Sequence, residues 1–585
     1  MISDRSTNLL AAALLLVLFW TALLSMDGTS LTFDELAHIP AGYSYLTQKD
    51  YRINPEHPPL VKDLSAVPLL FQDLNFPGQS SAWKQEATAP AWWVQFDLGT
   101  EFIYNSQNSP TDIIFWARFP MILLLLLLGW FLFKWARKLG GNPVGLGVLA
   151  LFSFSPALIA HGRLVTTDVG AAFGAVVATY FWIKFLRNPI KLNVLWAGVF
   201  FGIAMLIKFS LVLLIPFFGL LAVIYPLLLK KNKVSVLKEY LSKAVVAGII
   251  GVVLVIYPVY SFHTLNYPSE HQLRDTAADL APNQITPLKN LTVWMSDKPI
   301  IRPLAQYARG LLMATQRTSF GNTTYFMGQI SAEAWWYYFP VIYFLKIPLA
   351  FHLLTLISLA GCLFLLFRRK FAGWLRNNFT AFAFLLFLAI YWSTAMIGNL
   401  NIGIRHLIPV LPFTYLLVVL GAKTIWDNIN SQKGKMIFGS LILLLFAWYV
   451  SSSLAAYPDY IPYYNEIAGG KEKGYRYAVD SNYDWGQDFY RLLAFVESNK
   501  IEKVHLDYFG GESPEYWLGE KHIKLNPREI KEPPQGWVAV SINQLMGGIA
   551  EPVPGFDQET GYYDWLKGKE PAARAGQSIF IYHLP

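Results

Sequence analysis

The first polar loop after the N-terminal apolar segment brings together residue types that can do acid–base and phosphate chemistry. It holds an adjacent acidic pair, Asp34 and Glu35, followed by His57 and Lys62 on either side of two prolines. A carboxylate can act as a general base, and a lysine can neutralise a phosphate as a point charge. At a membrane surface this combination suits chemistry on a lipid-borne phosphate better than it suits packing.

Two interpretations of the acidic pair stand. Apolar residues recur at helical spacing after it, so Thr32 or Asp34 could simply cap an amphipathic helix. Alternatively, Asp34 is a general base that takes a proton from an acceptor hydroxyl. Partial desolvation beside the bilayer is then expected to raise the pKa of Asp34 above the usual value of about 3.9.

The His57–Lys62 run also has two interpretations. The prolines could only stiffen a turn whose polar ends are solvated. They could equally hold His57 and Lys62 in a set geometry at the membrane face, with Lys62 against a phosphate.

Further ionisable residues interrupt or flank apolar segments, where they are costly and often functional. A local pair between Arg163 and Asp168 is one explanation, and snorkelling of single cations to the interface is another. The functional alternative is a second acid with a ring of groups that bind a lipid phosphate. The residues of that predicted set are Asp168, Arg163, Lys208, Arg405 and His406.

The composition is that of a membrane protein. Of 585 residues, 54% are hydrophobic and only 15% are charged, against roughly 25% in soluble domains. The apolar runs predict an all-α polytopic protein with about eleven spans. They lie near residues 9–26, 113–133, 143–159, 168–185, 193–207, 209–229, 244–262, 336–367, 379–397, 405–425 and 436–457.

The positions of the basic clusters predict the orientation. They follow the even-numbered spans, at residues 134–138, 187–191, 230–233, 368–370 and 433–435. Lys/Arg-rich short loops mark the cytoplasmic side, so the N-terminus is expected inside and the C-terminal tail outside. The net charge of +8 is therefore a topology signal, and a nucleic-acid partner is not expected. We expect the first span to be retained rather than cleaved as a signal peptide.

This orientation divides the chain into two predicted domains. Residues 1–457 form the membrane domain, with external loops at 27–112 and 263–335. Residues 458–585 form an extracytoplasmic domain, in which strands at 504–509, 537–541 and 578–583 and a helix at 489–498 indicate a small α/β fold. The single cysteine, Cys362, allows no intrachain disulfide.

Aromatic and acidic residues at the start of the tail are a weaker candidate site. Tyr483, Asp484 and Trp485 could contact a sugar or an acceptor. Such aromatic residues more often belong to an interfacial belt or a domain core. The acids there could only cap and turn the chain.

Several segments resemble one family of membrane enzymes. FDELAHIPAGYSYL, NPEHPPLVKDL and GRLVTTD resemble the dolichyl-phosphate-mannose–protein mannosyltransferase-like group. That group belongs to the C-type membrane glycosyltransferases, with the aminoarabinose transferases that act on lipid A. The tail run AVDSNYDWGQDFYRL is similar to one in bacterial phospholipid-carrier-dependent glycosyltransferases.

The resemblance implies a multi-spanning helical fold with its active site on the external face, and a donor sugar on a polyprenyl phosphate. By position, Asp34 matches the family's catalytic acid with Glu35 as its companion, and Asp168 matches a second acidic position. His57 and Lys62 match the loop motif, and Arg405 a cation that binds the donor phosphate. The sugar-binding-like repeats of eukaryotic members have no counterpart in the second loop, and the tail exceeds the protein mannosyltransferase pattern. Both departures weaken the case for a protein acceptor.

The sequence therefore predicts an inverting glycosyltransferase in the plasma (inner) membrane. Asp34 would deprotonate an acceptor hydroxyl on a protein, glycolipid or polysaccharide, while cations neutralise the departing lipid phosphate. No cofactor is required by the motifs, and a divalent cation is possible although no ligand spacing is distinctive. A transporter or lipid-linked-sugar flippase is the alternative, since intramembrane charges also line transport paths. A non-catalytic receptor or assembly factor is a third reading.

Overall fold

The computed structural model describes residues 3–84, 92–229, 233–367, 371–530 and 532–585. Two of the basic clusters that support the predicted orientation, at 230–233 and 368–370, fall wholly or largely outside these ranges. The helices of the N-terminal half are α1 (Asp4–Leu24), α2 (Phe33–Gln48), α3 (Leu60–Ala66), α4 (Ser81–Lys84), α5 (Val94–Thr100), α6 (Pro110–Gly140), α7 (Asn142–Ser153), α8 (Pro156–His161), α9 (Thr167–Arg187), α10 (Lys191–Met205), α11 (Leu214–Leu228) and α12 (Lys233–Gly251).

The next group completes the membrane region and its second loop. Its helices are α13 (Tyr257–His263), α14 (Ser269–Asp279), α15 (Thr286–Met295), α16 (Arg302–Phe320), α17 (Tyr338–Lys346), α18 (Leu349–Phe367), α19 (Phe371–Asn377), α20 (Phe379–Ile397), α21 (Val410–Asn428) and α22 (Gln432–Ala456). A short hairpin, β1 (Thr324–Phe326) and β2 (Gln329–Ser331), lies between α16 and α17.

The chain is a multi-pass membrane protein, as its sequence predicts. Among the described residues eight helices are long and apolar enough to cross a membrane, and α17 with α18, bent by 110°, could form a ninth. The predicted spans near 143–159 and 193–207 coincide with shorter apolar helices, α7 and α10, so the count of eleven stays a prediction. Helix α9 lies in the interior of the helix bundle. In its apolar stretch 78% of the residues are buried within the protein, compared with 22% for α1.

Helix α2 is held in place at its first turn and along one face. The Glu35 carboxylate accepts from the backbone N–H of Thr32 at 3.0 Å, which satisfies a free donor at the helix start. Farther along, a Cβ on Gly42 would lie 2.2 Å from the carbonyl oxygen of Lys62. Only glycine allows α3 to approach α2 this closely. Helix α2, which carries Asp34 in its first turn, is thereby fixed against α3.

A buried ion pair ties α2 to the membrane spans. Arg118 on α6 donates two bonds to the Glu35 carboxylate, from Nη2 at 2.6 Å and from Nε at 2.9 Å. The backbone N–H of Val165 donates to the same carboxylate at 2.9 Å. Burial is the largest single influence and would raise the pKa of Glu35, but the Arg118 charge and the hydrogen bonds from Arg118, Val165 and Thr32 together keep that pKa below its usual value. One carboxylate thus joins the loop helix, α6 and the turn before α9.

The tail contains the small α/β fold that the sequence predicts. Its five-stranded sheet has the order β4-β3-β5-β8-β7, with β3 parallel to both β4 and β5 and the remaining pairs antiparallel. The elements are α23 (Gly470–Lys473), α24 (Phe489–Ser498), β3 (Val504–Asp507), α25 (Pro514–Leu518), β4 (His522–Lys524), β5 (Gly536–Ser541), α26 (Ile542–Ile549), β6 (Glu551–Pro552), β7 (Ala573–Ala575) and β8 (Ile579–Leu584).

The tail is joined to both external loops. Strand β6 pairs in parallel with β2 of the second loop. At the first loop, the Leu31 N–H donates to the Glu512 carboxylate at 2.6 Å and the Ser30 N–H donates to the carbonyl of Gln487 at 3.0 Å. Residues just past the predicted boundary at 457, such as Tyr460, pack in the same apolar core as the spans. The division at that residue stays a prediction.

Replacing Arg118 by methionine should destabilise the protein by about 3–5 kcal/mol, because Glu35 would remain buried and charged without its partner. The measurement is the melting temperature of purified protein in detergent. Arg137→Met is the matched control on the same helix, since it breaks the exposed pair with Asp4 and should change the melting temperature little. Equal melting temperatures for the two variants would contradict the structural role of the Glu35–Arg118 pair.

Candidate active site

Four charged side chains converge where several membrane helices begin. Asp34 lies in the first turn of α2 and Asp168 in the first turn of α9. Lys208 immediately precedes the span at Phe209–Leu228, and Arg405 lies in a 3-10 turn, Ile404–Leu407, just before α21. The other ends of α6 and α9 carry lysine and arginine in their last turns. The charged cluster and those basic ends therefore lie at opposite ends of the same spans.

Arg405 is shared between the two acids. Its Nη1 donates to Asp34 Oδ2 at 2.7 Å and lies 3.8 Å from Asp168 Oδ2. Lys208 Nζ donates to the other oxygen of Asp168. The alternative interpretation, a local Arg163–Asp168 pair, is not found among the contacts of the described residues, and Asp168 is paired with Lys208 and Arg405 instead.

Three of these four residues, Asp34, Lys208 and Arg405, line a cavity of about 510 Å³, whereas Asp168 is 1% exposed and is not among the lining residues. The polar part of its lining includes Asp34, His38, Asn54, Glu56, His57, Gln95, Lys208, Arg317, Tyr391, Arg405 and His406, with several serine and threonine side chains. The apolar part includes Val212, Leu213, Leu311, Ala395, Ile397 and Leu400. The cavity wall therefore combines charged groups with a substantial set of apolar side chains.

Asp34 is the accessible acid of the pair. Its side chain is 21% exposed, whereas that of Glu35 is 0% exposed. Burial is the largest single influence and would raise the pKa of Asp34, but the Arg405 charge and hydrogen bond, together with His38 and Arg317, hold the pKa below its usual value. The sequence-based expectation of a raised pKa is wrong because it did not include Arg405. Asp34 is consequently an ionised carboxylate that can accept a proton.

The cavity's histidines are neutral. Burial holds the pKa of His57 and His406 well below the usual value, and the neighbouring cations lower it further. His38 has a lowered pKa for the same main reason and donates from Nδ1 to the carbonyl of Val165 at 2.8 Å. The Nε2 of His406 has no hydrogen-bond partner within the described part of the chain. His57 and His406 can therefore offer a hydrogen bond to a ligand but not a positive charge.

A smaller cavity of about 200 Å³ shares part of this lining. Asn54, Glu56, Trp92 and Gln95 line both cavities. At this junction Arg317 Nη1 pairs with the Glu56 carboxylate at 3.0 Å. The smaller cavity is bounded chiefly by polar side chains, including Arg52, Asp279, Arg309 and Gln316.

Lys62 is not part of the cavity lining among the described residues. Its side chain is fully buried and Nζ donates to four oxygens: the Tyr45 hydroxyl, the Asn54 carbonyl and side chain, and the His57 carbonyl, at 2.8–2.9 Å. An amine saturated in this way holds the loop together and has no free donor for a phosphate. The structure corrects the predicted placement of Lys62, although its loop does deliver His57 to the cavity.

Two other predicted residues are also buried elsewhere. Glu35 is consumed by its pair with Arg118. Arg163 is buried in the turn before α9, and neither its Nε nor its Nη1 has a hydrogen-bond partner among the described residues. Neither side chain borders the cavity as described.

The three tail candidates do not border the described cavity either. The Tyr483 hydroxyl donates to the carbonyl of Lys471 at 2.6 Å inside the tail core. Asp484 accepts from the backbone N–H of Gly486 and Asn543, so it turns the chain, as the alternative interpretation had it. Trp485 is 1% exposed and its ring lies 4.3 Å from the Arg405 guanidinium. A direct sugar contact by these residues has no support from their positions.

Sequence reasoning counted His38 among the polar residues of the first loop but gave no role in the site to His38, Glu56, Arg317 or Tyr391. Glu56 and His38 lie inside the motifs already singled out, so their motif membership was the available signal. Arg317 belongs to α16 in the second loop, and its approach to Glu56 depends on how that loop folds back. The described residues contain no group of three or more His, Cys, Asp or Glu side chains that could hold a metal, so the possible divalent cation has no ligand set there.

Comparisons with known proteins bear on the family resemblance and on the fold. Residues 111–262 match the dolichyl-phosphate-mannose-protein mannosyltransferase family. The resemblance expected from the sequence is thereby confirmed. The matched segment contains Asp168 and Lys208 but neither Asp34 nor Arg405. No curated protein matches the chain. The family match indicates a glycosyltransferase of the kind that uses a lipid-linked sugar.

Solved structures support the fold. The S. cerevisiae protein O-mannosyltransferase Pmt1-Pmt2 complex bound to its sugar donor has a chain that is 12% identical, with 78% of this chain and 90% of that chain covered and a TM-score of 0.56. ArnT from Cupriavidus metallidurans bound to undecaprenyl phosphate is 12% identical over 99% of this chain and 98% of that one. Its TM-score of 0.43 is below the level that indicates a shared fold.

Lys62→Met should lower stability by about 1–3 kcal/mol, because it leaves buried oxygens without their donor. The melting temperature in detergent measures this loss. Lys84→Met, an exposed lysine of the same loop, is the control and should melt like the wild type. An unchanged melting temperature together with loss of polyprenyl-phosphate binding would return Lys62 to the phosphate site.

Proposed function

We propose that this protein transfers a sugar from a polyprenyl-phosphate carrier to an acceptor hydroxyl, with inversion at the anomeric carbon. The reaction takes place on the external face of the inner membrane. The observation that carries the proposal is the Asp34–Arg405 contact in the lining of a cavity whose wall also contains many apolar side chains. A base, a cation for the departing phosphate and a place for a hydrocarbon chain are thus in one space.

The carrier fits the cavity by chemistry. Its isoprenoid chain would lie against the apolar side chains of the wall, such as Leu213 and Ile397. Its phosphate would lie beside Arg405 and Lys208. Both cations now pair with carboxylates, so a phosphate would share or replace those contacts. The neutral His406 can add a hydrogen bond to the phosphate, because its Nε2 has no partner among the described residues.

In the proposed step the acceptor oxygen attacks the anomeric carbon as its proton passes to Asp34. The bond between the anomeric carbon and the phosphate oxygen breaks, and the lipid phosphate leaves with the electron pair. Charge that grows on that oxygen is stabilised by Arg405 and Lys208. When Arg405 turns toward the phosphate, its hold on Asp34 weakens, so the carboxylate becomes more basic when the donor is bound.

The acceptor would enter from the smaller polar cavity, which meets the larger one at the Glu56–Arg317 pair. Polar walls suit a hydroxylated acceptor, whether on a protein, a glycolipid or a polysaccharide. The site lies at span ends opposite the basic ends of α6 and α9, which supports an external site with the N-terminus in the cytoplasm. We place the protein in the inner membrane with its tail outside.

The positions of the charges also weigh against a flippase or transporter. Transport paths place their ionisable groups near the middle of the membrane. Asp168 is in the first turn of its span, and Lys208 and Arg405 lie just before theirs.

Asp34→Asn should reduce turnover at least a hundredfold while leaving the fold intact, because a positioned general base contributes about 10²–10⁴ in rate. The assay supplies purified protein with radiolabelled polyprenyl-phosphate sugars and membrane extract as the acceptor source. Asp97→Asn, at an exposed position of the same loop, is the matched control and should retain full transfer. A loss of less than threefold for Asp34→Asn would rule out Asp34 as the base. No transfer by the wild type from any donor would favour the flippase.

The kcat/KM for transfer should stay constant as the pH falls from about 7 to about 5, because this ratio reports the pKa of Asp34 in the donor-free protein, where Arg405 contacts it. A base whose pKa is lowered stays ionised until the pH is below the usual aspartate value of about 3.9, so activity is lost only there. Asp480, whose pKa burial raises to about 6, is the described acid nearby that titrates within this window. Asp480→Asn therefore serves as the control for any change near pH 6. A loss of activity near pH 6 that persists in Asp480→Asn would contradict the assignment of Asp34, with its lowered pKa, as the base.

A further inference from the structure

We propose that residues 482–485 of the tail, which we call the strap, position the Asp34–Arg405 pair, with Trp485 and Asn482 as the positioning residues. The consequence for catalysis rests on the proposed function, but the effect on the Asp34 carboxylate does not. The strap belongs to the AVDSNYDWGQDFYRL run, whose role in the site the sequence left undecided.

The Trp485 indole packs against Arg405 and is not among the residues that line the cavity. Its ring lies 4.3 Å from the guanidinium carbon, and the residue is 1% exposed. A cation over a buried aromatic face is attracted to it, and the flat ring also limits the rotamers that the long side chain can adopt. Trp485 therefore keeps the guanidinium directed at Asp34.

The strap also fixes the backbone beside both members of the pair. The N–H of Phe33, which precedes Asp34, donates to the carbonyl of Trp485 at 3.1 Å. The N–H of Ile404, which precedes Arg405, donates to the Asn482 side-chain oxygen at 2.9 Å. Four residues of the tail thus set the separation of two residues that lie far apart in the chain.

The strap is itself held rigidly by the membrane region. The Asn482 amide donates to the Tyr338 hydroxyl at 2.9 Å, and Lys346 Nζ donates to the Asn482 carbonyl at 2.5 Å. A Cβ on Gly403 would lie 2.4 Å from the Ser481 hydroxyl oxygen, so this approach depends on glycine. Such close packing on α17 and the turn before Arg405 makes the strap a template rather than a loose loop.

The readout is the protonation of Asp34, because Arg405 lowers its pKa. The charged or titratable groups that act on Asp34 are Arg405, His38, Arg317 and, from the strap side, Asp480. If Trp485 no longer restrains Arg405, the hold of the guanidinium on Asp34 weakens and the pKa of Asp34 rises. A residue that only stabilised the tail would leave this titration unchanged.

The test compares Trp485→Leu with Trp485→Phe, which keeps an aromatic face, in the full-length protein. Difference infrared titration follows the Asp34 carboxylate, identified by its loss in Asp34→Asn. We expect the midpoint to rise by about one pH unit in Trp485→Leu and to return close to the wild-type value in Trp485→Phe. Asn482→Ala should raise it in the same direction, and it serves if Trp485→Leu does not fold.

Trp537→Leu is the matched control, since Trp537 packs on Phe495 and His583 in the tail sheet, away from the strap. Its Asp34 midpoint should equal that of the wild type. In the transfer assay, Trp485→Leu should lose about tenfold in kcat and Trp485→Phe less than threefold. An unshifted midpoint in both Trp485→Leu and Asn482→Ala, or an equal shift in Trp537→Leu, would overturn the inference. A shifted midpoint without transfer by the wild type would support the strap and reject the glycosyltransferase.

Discussion

The Arg405 guanidinium, shared between Asp34 and Asp168, is the contact on which the rest of this structure depends. Two carboxylates near each other in a membrane protein cannot both stay ionised without a cation between them. Lys208 completes the neutralisation of Asp168. The charges come from α2, the start of α9, the turn before Phe209 and the turn before α21, so the whole bundle must assemble before the cluster exists.

Adjacent acids in the first loop have different surroundings. Glu35 points into the protein, where Arg118 and two backbone N–H groups surround its oxygens. Asp34 faces the cavity and keeps part of its surface exposed. Successive residues of a helix differ by about 100° in direction, so adjacent residues point to different faces of the helix. The first therefore anchors the helix that presents the second.

The cavity joins two environments that a lipid-linked substrate requires. Its histidines are neutral because burial and nearby cations both oppose their protonation. The positive groups that can meet a ligand are therefore Arg405, Lys208 and Arg317, and each of these is now paired with a carboxylate. Such pairing offsets the desolvation cost of the buried cations until an anionic ligand forms contacts with them.

The sequence by itself determined the class of the protein and much of its local structure. Hydrophobic runs specify membrane helices, and the tail pattern predicted α24 and strands β3, β5 and β8, because both signals are local. Residue type and position also selected Asp34, Asp168, Lys208 and Arg405, which the fold brings together. Only the tertiary structure decided the partners: Lys62 binds loop oxygens, Glu35 binds Arg118, and Trp485 packs on Arg405. The partner of a charge depends on which distant segment packs beside it, and no local periodicity records that.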